Sequence, residues 1–190
     1  MAMTRHQEER KQAFAASLTN LLRKEAIEKI TVDQICEEAN VHRSTFYRYF
    51  TDKYDLLEYV FKNIFVAQVD RSNVVESIIR HIASEKKIFR NVFNNNNKAD
   101  YYLFGTILRI FSSQIYDAVM AGHLHEIPWI EIMVKNSKYP KIATDMIAGG
   151  FLTVLIEWIS TNYEMDEEEL ARFILHIEES LKDKKININD

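Results

Sequence analysis

The chain has 190 residues, of which 47% are hydrophobic and 27% charged, with four glycines, two prolines and one cysteine. This composition is typical of a helical globular protein of one or two domains, and the single Cys36 excludes an internal disulfide and suits a reducing compartment. The N-terminus lacks the apolar core of a signal peptide, and no uncharged apolar run approaches about 18 residues, so we expect a cytoplasmic protein without a membrane span.

The net charge of −4 is unevenly distributed along the chain. Residues 1–53 carry nine Lys and Arg against eight Asp and Glu, whereas residues 54–190 carry fifteen against twenty. Basic side chains are most concentrated at Arg43, Arg48 and Lys53. A local basic face of this kind is sufficient to neutralise DNA phosphates, and the acidic remainder would repel DNA.

The first two predicted helices lie within residues 4–39. The helix over residues 4–24 is amphipathic, with Phe14 and Leu18 on its apolar stripe. Thr31 and Gln34 then have the spacing of a capping box, which starts a short helix that runs to about Ala39. Asn40 is suited to the left-handed conformation that ends a helix.

A second short helix is predicted over residues 43–50. Phe46 and Phe50 are four residues apart and are predicted to face inward. The remaining side chains face outward and are rich in Arg and aromatic groups: Arg43, Ser44, Thr45, Tyr47, Arg48 and Tyr49. Such side chains suit phosphates and base edges, so the pair of helices is predicted to be a DNA-binding helix-turn-helix. The alternative is an ordinary two-helix corner that binds nothing.

Longer helices follow from Tyr54 onward. They are predicted over residues 54–69, 74–93, 101–122, 128–138 and 140–163, and after Asp166 as N-cap. Four consecutive asparagines at residues 94–97 predict a loop, and Gly122 a C′ position. We therefore predict an all-α protein with an N-terminal three-helix DNA-binding domain, residues 1–53, and a C-terminal helical bundle domain for regulation and dimerisation, residues 54–190.

The run TVDQICEEANVHRSTFYRYFTDKYDLL resembles the DNA-binding domain of the TetR family of bacterial transcriptional regulators. Its most specific part is TFYRYF followed by the pattern x-x-K-x-x-L-L. Asn40 stands where the family usually has glycine, and His42 stands where it usually has a Ser or Thr N-cap, which leaves the second helix less well capped. The segment AGGFLTVLIEW, residues 148–158, is similar to a C-terminal domain type common among low-GC Gram-positive members.

The resemblance implies a homodimer that binds a palindromic operator in double-stranded DNA. It places Thr45 and Tyr47 near bases or the adjacent sugar-phosphate. It also places Tyr49, Lys53 and the Thr31 hydroxyl on phosphates. Arg43 is the best candidate for a guanine contact on chemical grounds. The residues expected to contact DNA are Thr31, Arg43, Ser44, Thr45, Tyr47, Arg48, Tyr49 and Lys53. Repressors and activators dock in the same way, so the sign of regulation stays open, although repression is the working expectation.

The resemblance also implies dimerisation through the last two helices. The expected interface residues are Gly149, Gly150, Phe151, Val154, Trp158, Phe173 and Ile177. Gly149 and Gly150 cost helix stability, and close approach of another helix is the usual reason for such glycines. The alternative is that both helices pack within one subunit.

A small apolar or aromatic effector is implied for the C-terminal domain. The aromatic side chains that would line its pocket are Phe61, Phe65, Phe89, Phe104, Phe111 and Trp129. The alternative reading of each is plain core. No catalytic pair, Gly-rich phosphate loop or metal-ligand spacing occurs, so no enzyme, cofactor or metal site is predicted. A remaining alternative is a protein-interaction module that keeps the fold without inducer binding or specific DNA binding.

Overall fold

The computed structural model describes residues 5–65, 69–70, 73–93, 99–124 and 127–182, without the side chains of residues 64–65, 99–102 and 178–182. Every regular element in these ranges is helical, which confirms the all-α prediction. The elements are α1 (Arg5–Leu22), α2 (Val32–Glu38), α3 (Arg43–Phe46), α4 (Lys53–Val60), a π-helical turn (Phe61–Phe65), α5 (Val74–Ser84), α6 (Lys86–Phe93), α7 (Ala99–Ala121), α8 (Pro128–Asn136), α9 (Pro140–Ser160) and α10 (Glu167–Lys182). The asparagine loop predicted at residues 94–97 lies outside the described residues.

The chain forms two compact units that interleave in sequence. Unit 1 contains Met1–Gln68 and Glu85–Ile110, and unit 2 contains Val69–Ser84 and Phe111–Asp190. Helix α5 therefore belongs to unit 2, while α6 belongs to unit 1. The predicted domain boundary after residue 53 concerns the DNA-binding segment and stays a prediction.

Unit 1 is built around α1, which packs against α2, α4 and α6. Phe14, Leu18 and Leu22 on α1 have no solvent exposure, as expected for the apolar stripe of an amphipathic helix. Hydrogen bonds also join α6 to the end of α1 and to the bend that follows it. The Ile27 N–H donates to the Asn91 carbonyl at 2.9 Å, and Asn91 Nδ2 donates to the Leu22 carbonyl at 2.8 Å.

Several helix ends follow local sequence signals. Gly122 has φ of 69° directly after α7, and the His123 N–H reaches back to the Ala118 carbonyl at 2.9 Å, which confirms the predicted C′ glycine. Asp166 caps α10, because its Oδ1 accepts from the Glu169 N–H at 2.8 Å. One predicted helix is wrong as a single element: residues 74–93 form α5 and α6 with a break at Glu85.

Unit 2 contains α5, α8, α9, α10 and the second half of α7, with α5 packed on α10 and α8 on α9. Helix α9 is long and apolar enough to cross a membrane by length and composition alone. One of its faces is nevertheless buried in unit 2, where Ala148 and Thr144 have no exposure. Helix α9 is therefore a core helix with a second, exposed apolar face, which includes Ile142 and Met146.

Candidate DNA-binding surface

The capping box predicted at Thr31 is present and fixes the start of α2. The Thr31 hydroxyl accepts from the Gln34 N–H at 3.2 Å and donates to Gln34 Oε1 at 2.9 Å, and Gln34 Oε1 also accepts from the Thr31 N–H at 2.7 Å. The hydroxyl proton of Thr31 is thus directed at the cap. To donate to a phosphate, as predicted, it would have to leave Gln34.

The turn between α2 and α3 depends on Asn40. Its φ of 50° lies in the left-handed region, and the Val41 N–H donates to the Cys36 carbonyl at 2.9 Å, as in a Schellman motif. His42 is the N-cap of α3 but makes no side-chain hydrogen bond to the cap, which confirms the weak cap expected there. Backbone geometry, rather than a capping side chain, therefore starts α3.

Aromatic packing anchors α3 to α1. Phe46 is fully buried and Phe50 is nearly so, which confirms their predicted inward orientation. The Phe14 ring lies edge-on to both, at centroid distances of 5.4 Å and 6.2 Å. Such pairs stabilise beyond their buried area and hold one orientation of the helix. The opposite face of α3 is consequently fixed toward solvent.

The second helix is shorter than predicted. Its α-helical part ends at Phe46, and the following turn uses i→i−3 bonds such as the Tyr49 N–H to the Phe46 carbonyl at 2.9 Å. Tightening to this pattern is common in the last turn of a helix. The predicted DNA-contacting side chains divide into the exposed Thr31, Arg43, Ser44, Tyr47 and Arg48 and the half-buried Thr45, Tyr49 and Lys53.

Arg43 makes the densest side-chain network of the exposed face. Its Nη1 lies 2.7 Å from both carboxylate oxygens of Asp33 on α2, and its Nη2 donates to the Tyr47 hydroxyl at 3.0 Å. The guanidinium carbon is also 5.5 Å from the centroid of the Tyr47 ring. The hydrogen bond to Tyr47, followed by the one to Asp33, raises the pKa of Arg43 above its ordinary value. Asp33 was not among the predicted site residues, and no local spacing rule pairs it with Arg43.

Lys53 is engaged inside the protein. Its Nζ donates to the carbonyls of Ile27 at 2.7 Å, Glu28 at 2.9 Å and Ile30 at 2.8 Å. These bonds use all three of its N–H donors. Burial lowers the pKa of Lys53 from its ordinary value, with Glu28 and then Asp52 acting in the opposite direction. The observed geometry thus gives Lys53 a positioning role, and the predicted phosphate contact would require one of these bonds to break.

A second cluster joins the first turns of α1 to α4. The Tyr59 hydroxyl donates to Glu8 Oε1, and the Lys11 ammonium lies 5.4 Å from the Tyr59 ring centroid. Glu8 Oε2 is buried and makes no hydrogen bond with the described residues. Burial, and after it the bond to Glu8, raises the pKa of Tyr59 far above its ordinary value.

The aromatic residues predicted to line an effector pocket occupy different environments. Phe61 and Phe89 are almost fully buried, with ring centroids 6.1 Å apart, and are therefore core residues of unit 1. Phe104, Phe111 and Trp129 are partly exposed, while the Phe65 side chain lies outside the described part of the chain. Trp129 Nε1 is buried and makes no hydrogen bond with the described residues.

A groove of about 510 Å³ lies between α5 and α10 of unit 2. Ile79 and Ala171 are its buried apolar residues, and Arg80 and Arg172 are its basic ones. Three glutamates, Leu175 and His176 complete the lining. None of the aromatic residues predicted for the effector contributes to it.

The predicted dimer-interface residues lie on α9 and α10. Trp158 is buried within unit 2, where its indole N–H donates to the Met165 carbonyl at 2.7 Å. Gly150 and Phe173 are exposed, whereas Gly149, Phe151, Val154 and Ile177 are half-buried. Apart from its chain neighbours and the backbone of its own helix, no described heavy atom would lie within 4 Å of a Cβ added at Gly150.

Two family profiles match the chain. The profile described as bacterial regulatory proteins, tetR family, covers residues 17–60, which include α2, α3 and α4. The profile described as transcriptional regulator C-terminal region covers residues 70–179, more than half of the chain.

Individual relatives are distant in sequence. The HTH-type dhaKLM operon transcriptional activator DhaS of Lactococcus lactis subsp. lactis (strain IL1403) is 20% identical over 119 residues, which are 59% of this chain and 64% of DhaS, less than two thirds of its length. A solved structure named dihydroxyacetone kinase operon activator DhaS has a TM-score of 0.53 at 16% identity, covering 92% of this chain and 94% of that one. Ligand-free RolR has a TM-score of 0.55 at 19% identity, covering 87% and 89%. These structures share the fold of this chain.

Proposed function

The chain belongs to the TetR family of bacterial regulatory proteins, and we propose that this transcriptional regulator binds a palindromic operator as a cytoplasmic homodimer. The observation that carries the proposal is the outward face of α3. Phe46 and Phe50 are buried on the inner face, so that Arg43, Ser44 and Tyr47 face solvent together. A helix-turn-helix presents this face to the major groove.

Operator recognition would divide the work among these side chains. Arg43 would read a guanine, because a guanidinium can donate to both O6 and N7. Ser44, Thr45 and Tyr47 would contact neighbouring bases or sugar-phosphate, and Arg48 a phosphate. In a two-fold symmetric dimer the two α3 helices would enter major grooves about 34–36 Å apart, and the half-sites would be inverted.

The dimer would form through the exposed face of α9 together with α10. Tyr139, Ile142 and Met146 are each at least 58% exposed and follow one stripe at helical spacing, which continues to Gly150. Large apolar side chains in such an arrangement are typical of an interface. A second copy of the chain is the occupant we propose, since two-fold dimers are the commonest assembly.

Selection of random duplexes against the purified protein tests the operator proposal. We expect enrichment of an inverted repeat whose half-sites are centred about one helical turn apart. A folded protein that enriches no sequence would contradict specific operator binding. In that case the interaction-module alternative predicts no salt-dependent DNA affinity at all, whereas any phosphate-binding protein loses affinity steeply with salt.

A small-molecule effector is the second part of the proposal, supported by Trp129. A buried indole N–H with no acceptor among the described residues is costly unless another group accepts from it. We propose a planar apolar ligand that carries a carbonyl, hydroxyl or carboxylate oxygen. Screening such compounds by thermal shift should identify one that stabilises the wild type but not Trp129→Phe, and failure of every compound to do so would contradict this part.

A further inference from the structure

The ion pair between Arg43 and Asp33 links the two helices of the DNA-binding motif. Both side chains are more than half exposed, at 55% and 63%, so water screens the pair and it contributes little to folding stability. Its effect falls instead on the arginine itself. The carboxylate fixes the direction of the guanidinium and offsets its charge at the surface that faces DNA.

Counting donors shows what this arrangement leaves for DNA. A guanidinium has five N–H groups. Nη1 faces both oxygens of Asp33, and one Nη2 proton goes to Tyr47. The Nε–H and the second Nη2 proton have no partner among the described residues. Nε and Nη2 lie on the same edge of the planar group, and a guanine offers its O6 and N7 acceptors to such an edge.

An arginine without such a partner would behave differently. Phosphates are present at every base step, so a mobile cation at the end of a long side chain finds one on any sequence. A guanidinium restrained by Asp33 and Tyr47 pays less entropy when it meets a base in the restrained orientation, and it gains less from a phosphate elsewhere. Restraint therefore favours the correct site over the rest of the DNA.

We propose that Asp33 is a specificity-determining residue of the operator-binding surface, which holds Arg43 in a guanine-reading orientation and suppresses its contact with phosphates. The inference rests on the proposed operator binding. It adds a residue of α2, outside the predicted contact set, whose contribution is to discrimination and not to affinity.

The test compares wild type with Asp33→Asn on the selected operator and on an unrelated duplex of equal length. We expect Asp33→Asn to bind the unrelated duplex more tightly, with a log–log salt dependence steeper by about 0.9, the value for one additional phosphate contact. The ratio of operator to unrelated affinity should fall about two- to fivefold, the factor that corresponds to the strength of one exposed ion pair.

Glu37→Gln is the matched control. It removes the same charge from the same helix, and the Glu37 carboxylate makes no hydrogen bond or ion pair with the described residues. We expect its ratio to remain at the wild-type value. A double-mutant cycle adds Arg43→Ala: in that background Asp33→Asn should change neither affinity, because the residue through which Asp33 acts is gone.

Three outcomes would overturn the inference: an unchanged ratio in Asp33→Asn, an equal change in Glu37→Gln, or a change that persists without Arg43. A wild type that prefers no duplex would overturn the operator proposal instead. The inference is still decided then by a measurement without DNA, the mobility of the Arg43 Nε–H bond from nitrogen-15 relaxation. Greater mobility in Asp33→Asn than in wild type supports restraint by Asp33, and equal mobility refutes it.

Discussion

Lys53 and Tyr47 illustrate how residues of one surface divide between holding the fold and facing solvent. The Lys53 ammonium donates hydrogen bonds to three carbonyls of the bend that precedes α2, so it fixes the first turn of α4 against that bend. Tyr47 is 49% exposed, and its hydroxyl accepts from Arg43 while its own proton remains available for a new acceptor. A substitution at each residue should therefore fail in a different way.

Replacing Lys53 with methionine should destabilise the protein. The variant loses three charge-assisted hydrogen bonds that are only partly screened, so we expect a loss of about 2 kcal/mol in the free energy of unfolding, measured by urea denaturation. Lys29→Met is the control, because Lys29 is exposed and its ammonium makes no hydrogen bond or ion pair with the described residues. If Lys53 instead contacts a phosphate, the salt dependence of DNA affinity should become shallower by about 0.9 in the variant.

Replacing Tyr47 with alanine should abolish operator preference while leaving the protein folded. The side chain is exposed and its ring edge contacts Phe46 at a centroid distance of 5.5 Å, so truncation removes a solvent-facing group and not a core residue. We expect helical circular dichroism to be retained and operator affinity to fall to the value for unrelated DNA. Retained operator preference in Tyr47→Ala would contradict the assignment of α3 as the recognition helix.

Local signals predicted the caps of the motif but not its cross-helix contacts. Thr31 with Gln34, and Asn40, act within four residues of the helix ends they define, so their roles can be inferred from spacing alone. The pairing of Arg43 with Asp33 depends on the crossing of two helices, and the engagement of Lys53 depends on a bend more than twenty residues earlier. Neither contact can be inferred from the spacing of residues in the sequence.

At the scale of whole helices, apolar periodicity predicted which segments are helical better than where each one ends. The predicted helix over residues 74–93 breaks at Glu85, whose carboxylate accepts from Arg23 Nη2 at 2.7 Å. Because Arg23 is 62 residues away in the sequence, its contact with Glu85 cannot be inferred from the apolar periodicity of this segment. The helix predicted over residues 54–69 is α-helical only as far as Val60 and then continues as a π-helical turn. The sequence did not predict this change, because an apolar stripe does not distinguish the two hydrogen-bond patterns.

The contact between α1 and α4 should depend on Tyr59. In Tyr59→Phe the half-buried Glu8 carboxylate loses its hydrogen-bond donor, so we expect the free energy of unfolding to fall by about 1–3 kcal/mol. Adding Glu8→Gln should restore part of that loss, since a neutral amide is less costly to bury. Urea denaturation of both variants and of Tyr116→Phe, whose hydroxyl makes no hydrogen bond with the described residues, measures the effect.

The same contact has a defined pH dependence. Because the pKa of Tyr59 is raised in the folded state, its contribution is complete below the ordinary tyrosine pKa of about 10 and is lost only as the pH rises through the folded value. The stability difference between wild type and Tyr59→Phe should therefore stay constant between about pH 7 and pH 10. A difference that shrinks within this window would contradict the hydrogen bond as its source.

At the scale of the whole molecule, the units interleave and one of them retains an exposed apolar face. Sequence patterns suggest contiguous segments, whereas α5 belongs to unit 2 and the next helix, α6, belongs to unit 1. The bonds between Asn91 and the bend after α1 show why α6 belongs to unit 1. The exposed stripe of α9, in contrast, follows from sequence periodicity together with burial, and its glycine gives the sharpest test of the proposed dimer.

Substitutions at Gly150 test the environment of α9 in a single subunit and in a dimer. Apart from the chain neighbours and the backbone of α9 itself, no described atom lies within 4 Å of a Cβ added there. In an isolated subunit Gly150→Ala should therefore stabilise α9 by about 1 kcal/mol, the difference in helix propensity. Gly105 in α7 has the same open surroundings, and Gly105→Ala is the matched control.

If a partner helix packs closely against Gly150, the larger Gly150→Leu side chain should keep it away. We therefore expect Gly150→Leu to raise the dimer dissociation constant at least tenfold in sedimentation equilibrium, an estimate based on typical overpacking costs, with Gly105→Leu unchanged. Equal dissociation constants for the two leucine variants would place the interface elsewhere and leave the glycine without a packing role.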